Sequence, residues 1–339
     1  MQFPLSHQAG QHSHSRHPQE AAADQDCTFD SKVIFTDLFG SSNKSPWLLC
    51  AIESSMTKLE NNSVTVLTDN LDDFAENWPL ELPNPGRVVS ISKCLEGTPL
   101  RGWLDSPELA SSRYRQQNIA NALRLAALYK SGGVYLDLDI IPLHKELFDS
   151  DLASISKQCE ESECGNAFFL NNAYLSFPAK DRFLHKLMET FVVEYQGKHL
   201  CCMTLMLLPC FCQWTSSHSF VLAGSIWGFN GPRLVSSLYK RLLCDGPAGL
   251  FDCHKLKILP IERLAPFDWD EIVPVLSSQP DESYPLLVDN LNILAIHAYH
   301  NVWKTSCIPP HSVFHHIMSD NCPVVSSTFE DRIYCEQQV

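Results

Sequence analysis

Between residues 113 and 143 the chain reads RYRQQNIANALRLAALYKSGGVYLDLDIIPL, which dictates helix, stop and buried strand in succession. Ile119, Leu123, Ala126, Ala127 and Lys130 recur at helical spacing, and Gly132-Gly133 supplies the stop. Residues 132–143 then read as one buried strand with alternating faces. Val134, Leu136, Leu138 and Ile140 fall on one side; Tyr135, Asp137, Asp139 and Ile141 fall on the other. Two carboxylates thus leave one face of an apolar strand. Ionised carboxylates in such surroundings are costly unless a cation lies between or beside them. Paired hard oxygens suit Mg²⁺ or Mn²⁺, which commonly arrive with a phosphate-bearing substrate. A D-x-D pair is also short enough to close an ordinary loop and bind nothing, so its surroundings decide its meaning.

Those surroundings are α/β. KVIFTDLF (32–39) predicts a first strand, and SPWLLCAIESSMTKLE (45–60) a helix with Ser45 as N-cap and Pro46 at its first position. VTVLTDN (64–70) and RVVSIS (87–92) predict the second and third strands. Strand–helix–strand order points to a parallel, Rossmann-like nucleotide-binding sheet, whose ligands sit beyond the carboxyl ends of the strands. Asp137 and Asp139 fall there. Arg124 lies on a stripe of the long helix beside Asn121 and Leu128. Periodicity leaves it as a solvated surface charge or as a donor aimed at the site above the following strand. Further helices are expected at RFLHKLMETFVVEYQ (182–196) and GPRLVSSLYKRLL (231–243), and an apolar strand at NILAIHAY (292–299).

Composition narrows the class. With 339 residues the chain can bury a large core, and 45% hydrophobic against 19% charged residues fits a globular protein. Asp and Glu number 39 against 25 Lys and Arg, for a formal charge of −14. No basic stripe is available, which argues against a nucleic-acid partner. The 14 cysteines form no CxxC pairs of zinc-site type. Sequons at Asn43 and Asn61 point weakly to a secretory compartment. Residues 1–26 are polar and carry His7, His12, His14 and His17, with no apolar signal region; a tail is expected over residues 1–31. The apolar run Leu200 to Trp214 is short for a membrane span and is broken by Pro209.

Blocks along the chain occur in the order of a known family. NALRLAALYKSGGVYLDLDIIPL, NNAYLSF (171–177), IWGFNGPRLV (226–235), PFDW (266–269), AIHAY (295–299) and NCP (321–323) together resemble the Golgi α-1,4-galactosyltransferase and α-1,4-N-acetylglucosaminyltransferase family, over about residues 32 to 325. The resemblance implies a GT-A type fold: a Rossmann-like nucleotide-sugar-binding half (32–145), an acceptor-binding half (146–325) and a tail (326–339). It implies retaining transfer of galactose or N-acetylgalactosamine from a UDP-sugar to a galactose-terminated glycan, such as that of lactosylceramide in glycosphingolipid synthesis. Asp137 would contact the ribose or sugar side of the donor, and Asp139 would coordinate Mn²⁺, with Mg²⁺ as substitute, together with the diphosphate. Arg124 would hold the donor sugar, Asn171 would line the donor–acceptor junction, and Asn121, Tyr135 and Gly231 would contribute substrate contacts. His297 falls on a late His block, either touching phosphate or as a buried structural residue. Cys244 and Cys253 match a family pair expected as a luminal disulfide. Golgi membrane association is expected from the family, although no anchor is visible in this chain.

Three departures bear on activity. The family's Ser-Asp-x-x-Arg is here Ala120-Asn121-Ala122-Leu123-Arg124, replacing a charge-assisted hydrogen bond with a neutral one about half as strong. Phe229 and Asn230 stand where polar residues usually precede Gly-Pro. Residues 198–223 form an apolar, Cys-rich insertion, longer than loops of compact domains usually run, and read as the translation of a retained intron. Asn121 and this insertion motivate the alternative of an impaired family member that serves as a binding module. A D-x-D strand also opens phosphatases of the haloacid dehalogenase type, but there it is the first strand of the domain and not one behind three strands and a helix.

Overall fold

The computed structural model describes residues 27–40, 45–59, 63–149, 153–158, 169–195, 226, 228–244, 256–280, 290, 292–303 and 306–336. The N-terminal histidines, both sequons, Cys253 and the 198–223 insertion lie outside the described residues. The centre is a seven-stranded sheet in the order β3-β2-β1-β4-β7-β6-β8. Its strands are β1 (Val33–Asp37), β2 (Val64–Thr68), β3 (Gly86–Val88), β4 (Gly133–Leu136), β6 (Ser154–Lys157), β7 (Leu170–Phe177) and β8 (Lys257–Leu259). Pairing is parallel from β3 to β4, and β7 alone runs against the others. This is the α/β, Rossmann-like order expected, and the sheet continues across residue 145 through β6, β7 and β8. Strand alternation sends Val33, Phe35, Val134 and Leu136 into one core and Ile34, Tyr135, Leu175 and Phe177 into the other.

Helix α1 (Leu49–Lys58) covers the first face, whereas α2 (Arg115–Ser131) and α3 (Arg182–Tyr195) cover the second. Ser45 makes no capping bond; a 3₁₀ turn at Pro46–Leu48 opens the helix, and the Ser45 hydroxyl lies 3.0 Å from His300 Nε2. Gly132 ends α2 at φ +72°, where an added Cβ would sit 2.7 Å from the backbone nitrogen of Ala179. Neither a β-carbon nor its preferred backbone would fit there.

The D-x-D stretch is not one strand. β4 ends at Leu136, the backbone turns through Asp137–Asp139, and β5 (Ile140–Pro142) leaves to pair with β9 (Ala295–His297) in a second, two-stranded sheet. The Ile140 amide closes the turn on the Asp137 carbonyl at 3.1 Å. Alternation over 134–141 cannot reveal this, because residues before and after the turn are all apolar and buried.

The tail expected from residue 326 is instead folded. Helix α4 (Val313–Asn321) is followed by α5 (Pro323–Thr328) and a turn of helix at Glu330–Ile333, and Val325 and Ile333 are buried. Disulfides Cys50–Cys322 and Cys307–Cys335 hold this segment, and Cys27–Cys94 ties residues expected in the N-terminal tail to the body. Glu53 is buried in α1 and accepts the Val324 and Val325 amides at 2.9 and 2.7 Å. Among the described residues no helix is long and apolar enough to cross a membrane.

Candidate active site

Asp137 and Asp139 stand at the carboxyl end of β4, each held by different partners. Arg124 of α2 is only 6% exposed, which excludes the solvated-charge reading. Its Nη2 lies 3.0 Å from Asp137 Oδ1 and its Nη1 3.3 Å from Oδ2, while Nη1 also donates to the Asn172 carbonyl at 2.6 Å. The guanidinium packs 4.5 Å from the Tyr135 ring centre. Tyr135 donates its hydroxyl to Asp137 Oδ1 at 2.7 Å and meets the Thr36 hydroxyl at 2.9 Å. Burial pushes the Tyr135 phenol well up, despite the opposing pull of Arg124, so it remains a neutral donor. Burial would lower the Arg124 pKa, but Asp137 beside it, together with Tyr135 and Asp139, raises it on balance.

Asp139 belongs to the other side of the turn. Its Oδ2 accepts the His300 amide at 2.9 Å, and its Oδ1 lies 3.5 Å from His297 Nε2. Burial would raise this carboxyl; the charge and hydrogen bond of His297, then the amide and charge of His300, override it and hold the pKa down to about 2. Both carboxylates are therefore held in place by opposite charge or donors before any ligand arrives. His297 Nδ1 is buried with no hydrogen-bond partner. Two hard carboxylates suit a divalent cation. No three His, Cys, Asp or Glu side chains cluster closely enough among the described residues to hold one alone, so the donor set fits a cation that completes its shell with ligand oxygens.

Two clefts meet at this point. The first, about 410 Å³, runs from Thr36, Leu38 and Phe39 after β1, past Gln116 and Gln117, to Asp137, Asp139 and His300. The second, about 240 Å³, is lined by Asn121, Gln158, Asn171, Asn172, Trp269 and Tyr299, with His297 at its inner wall. Arg124 and Asp137 border both.

The residues singled out from sequence thus converge, with different environments. Asn121 accepts from Asn172 Nδ2 at 2.9 Å. Asn171 turns its Oδ1 back to the Ala173 amide at 2.6 Å. Gly231 is buried behind the second cleft, where a Cβ would fall 2.9 Å from Asn172 Nδ2. Its neighbour Asn230 is also buried and reaches Asn118 at 3.4 Å. Cys244 ends the helical segment Lys240–Cys244, and its expected partner Cys253 lies outside the described residues. Sequence reading did not find Thr36, Asn172, Trp269, Tyr299 or His300. Trp269, Tyr299 and Asn172 carried a signal, lying in the PFDW, AIHAY and NNAYLSF blocks; Thr36 and His300 depend on contacts distant in sequence.

Two family descriptions match the chain: "Glycosyltransferase sugar-binding region containing DXD motif" over residues 46–158, and "Alpha 1,4-glycosyltransferase conserved region" over residues 220–329. The chain is 26% identical over 251 residues to lactosylceramide 4-alpha-galactosyltransferase of Rattus norvegicus, covering 70% of this chain and 59% of that protein. It is 24% identical over 286 residues to the Homo sapiens protein of the same name, covering 80% and 68%. It is 23% identical over 199 residues to alpha-1,4-N-acetylglucosaminyltransferase of Homo sapiens, covering 57% and 47%. The chain therefore spans less than two thirds of the rat protein's length. Among solved structures, the PaToxG glycosyltransferase has a TM-score of 0.41 at 13% identity, covering 63% of this chain and 70% of that one. The galactosyltransferase LgtC, in complex with donor and acceptor sugar analogs, has a TM-score of 0.31 at 16% identity, covering 49% and 65%.

Proposed function

The chain belongs to the alpha 1,4-glycosyltransferases that carry a DXD sugar-binding region, and we propose that it moves galactose, or N-acetylgalactosamine, from a UDP-sugar to a galactose-terminated glycan. The observation that carries this reading is the pair of preset carboxylates where two clefts adjoin, Asp137 on their shared wall and Asp139 in the larger one. The 410 Å³ cleft beyond the parallel strands suits the nucleotide-sugar, and the smaller, amide-lined cleft suits the acceptor. Lactosylceramide is the acceptor favoured by the relatives' names, and the Golgi lumen is the compartment that fits such a substrate.

Asp137 and Asp139 would hold Mn²⁺ or Mg²⁺, the rest of its shell coming from donor oxygens. The chemistry supplied by that ion is Lewis-acid neutralisation of charge on the departing diphosphate. Arg124 and Tyr135 fix the Asp137 carboxylate, while His297 and the His300 amide keep Asp139 ionised at neutral pH. Among the described residues that line the clefts, Asp137 and Asp139 are the only carboxylates. In this reading the acceptor hydroxyl attacks the anomeric carbon on the face the UDP leaves. Its proton passes to the departing phosphate oxygen, and configuration is retained.

The test is turnover of UDP-galactose and UDP-N-acetylgalactosamine with lactosylceramide and Mn²⁺, comparing the wild-type chain with Asp139→Ala. Removal of a preorganised electrostatic group of this kind is expected to cost roughly 10³-fold in kcat. Equal turnover by both proteins rules out the proposed site. UDP-sugar binding without turnover in the wild-type chain would instead favour the binding-module alternative raised by Asn121.

A further inference from the structure

We infer that Trp269, backed edge-on by the buried Tyr299, forms a stacking platform for the terminal sugar ring of a β-galactoside, with the surrounding carboxamides reading its hydroxyls. This deepens the transferase reading by assigning a specificity-determining surface in the second cleft, and it rests on that reading for the direction in which the sugar is used. Among the described residues, large hydrophobic side chains are almost all covered. Among the described residues only Leu80 and Trp269 are exposed, and Trp269, at 49%, is the one that lines a cleft. An exposed aromatic at the lip of a cavity lined by polar groups marks a binding surface rather than a packing fault.

The backbone beneath it is also unusual. Tyr299 takes φ +52°, a left-handed conformation that costs free energy for a bulky residue. That conformation sets the Tyr299 ring edge-on to Trp269, with centroids 5.4 Å apart, and against His297 at 4.1 Å. His297 in turn touches Asp139. An aromatic run therefore leads from solvent to the carboxylate pair, and Tyr299 is held in the strained geometry that joins its two ends.

Around the platform stand Asn121, Gln158, Asn171, Asn172, Gln117 and Asn301. Carboxamides offer donors and acceptors without net charge, the complement of a neutral polyol. The phosphate-bearing donor needs charge; this cleft, apart from the shared Arg124–Asp137 wall, offers little. The ring chemistry selects the sugar. In a β-galactopyranoside the C–H bonds at C3, C4 and C5 make an apolar patch on one face, whereas the axial 4-hydroxyl projects from the other. The weakly positive C–H patch stacks on the negative face of an indole, and the axial 4-hydroxyl is then directed away from the aromatic and into the cleft. A glucoside has an equatorial 4-hydroxyl and lacks this division.

The experiment uses methyl β-lactoside and methyl β-cellobioside as probes, titrated into the full chain with saturation-transfer NMR, alongside UDP binding in Mn²⁺. The lactoside is expected to bind at least five-fold more tightly than the cellobioside. Trp269→Ala is expected to weaken lactoside binding by about ten-fold and to leave UDP affinity unchanged, while Trp269→Phe stays within three-fold of wild type. Tyr299→Gly, which relieves the backbone but removes the ring, is expected to weaken the lactoside as well. Lactoside binding that is absent in the wild-type chain, or indifferent to Trp269, overturns the inference, as does an equal loss of UDP affinity in Trp269→Ala. If Trp269-dependent lactoside binding is found but no UDP-sugar is turned over, the transferase reading fails and the sugar platform stands.

Discussion

The two clefts share the Arg124–Asp137 wall yet are built by opposite means. In the larger cleft, carboxylates are fixed by dedicated partners: Asp137 by Arg124, Asp139 by the His297 ring and the His300 amide. On the other side, neutral amides and two aromatics do the lining. Charge is costly to bury and must be prearranged by dedicated partners, which ties the first cleft to the sheet and to α2. Carboxamides carry no such cost, so the second cleft can be assembled from β7, the turn at Trp269 and the segment after β9. The contrast suggests that changes on the first side alter catalysis and folding together, while changes on the second alter affinity.

Breaking the shared wall gives the largest expected effect. Arg124→Met leaves the Asp137 carboxylate with Tyr135 as its remaining side-chain partner and frees the Asn172 carbonyl. A loss of about 3 kcal/mol of stability is expected in urea unfolding, with turnover lost as well. Unchanged stability would show that Arg124 does not carry the wall. A smaller change sharpens the boundary between the clefts. Asn121→Asp keeps the bond accepted from Asn172 Nδ2 and makes it charge-assisted. Asn121 lines the second cleft, and a charge set among carboxamides suited to a neutral sugar is expected to raise acceptor KM roughly five-fold in steady-state kinetics, for about 1 kcal/mol, with donor KM unmoved. A change in donor KM alone would assign Asn121 to the first cleft.

The smallest effect should spare both clefts. Lys58, in α1, donates to Ser54 and Asn321, and burial lowers its pKa to about 8 from an ordinary 10.5. Between those values the unfolded chain binds more protons than the folded one, so stability rises with pH across that window. The Tm of the wild-type chain is expected to gain from this group between pH 8 and 10.5, and Lys58→Met to flatten that contribution. Substrate KM values should not follow the substitution. A shift in either KM would couple the α1–α4 contact to the clefts.

Much of the frame was legible in the residues. The α2 pattern, its glycine stop and strands β1, β2 and β4 follow local periodicities that burial of one face imposes. The site residues were named largely from the resemblance, and they gather around two adjoining clefts. What periodicity misread was the stretch from Asp137 to Pro142. Alternation records which residues are buried but not which sheet buries them, and β5 pairs with β9, more than 150 residues further along the chain. Arg124 illustrates the same limit. Its stripe on the helix allowed solvent, and its burial comes from Asp137 and the Asn172 carbonyl, neither of which helical periodicity can locate. Cys50 and Cys322 are separated by 272 residues, and spacing says nothing about such a pairing.

The sequence by itself determined an α/β chain of acidic balance, with a long glycine-stopped helix, an apolar D-x-D stretch beyond it and ordered blocks of a glycosyltransferase family. These depend on interactions within a few residues or on composition. Tertiary structure alone decided that the carboxylates stand at a turn between two sheets, that Arg124 is the buried counter-charge of Asp137, that His297 and the His300 amide hold Asp139 ionised, and that Trp269 and Tyr299 face a cleft of carboxamides. Each of those depends on groups brought together across the chain, where packing and desolvation, rather than local preference, set the energy.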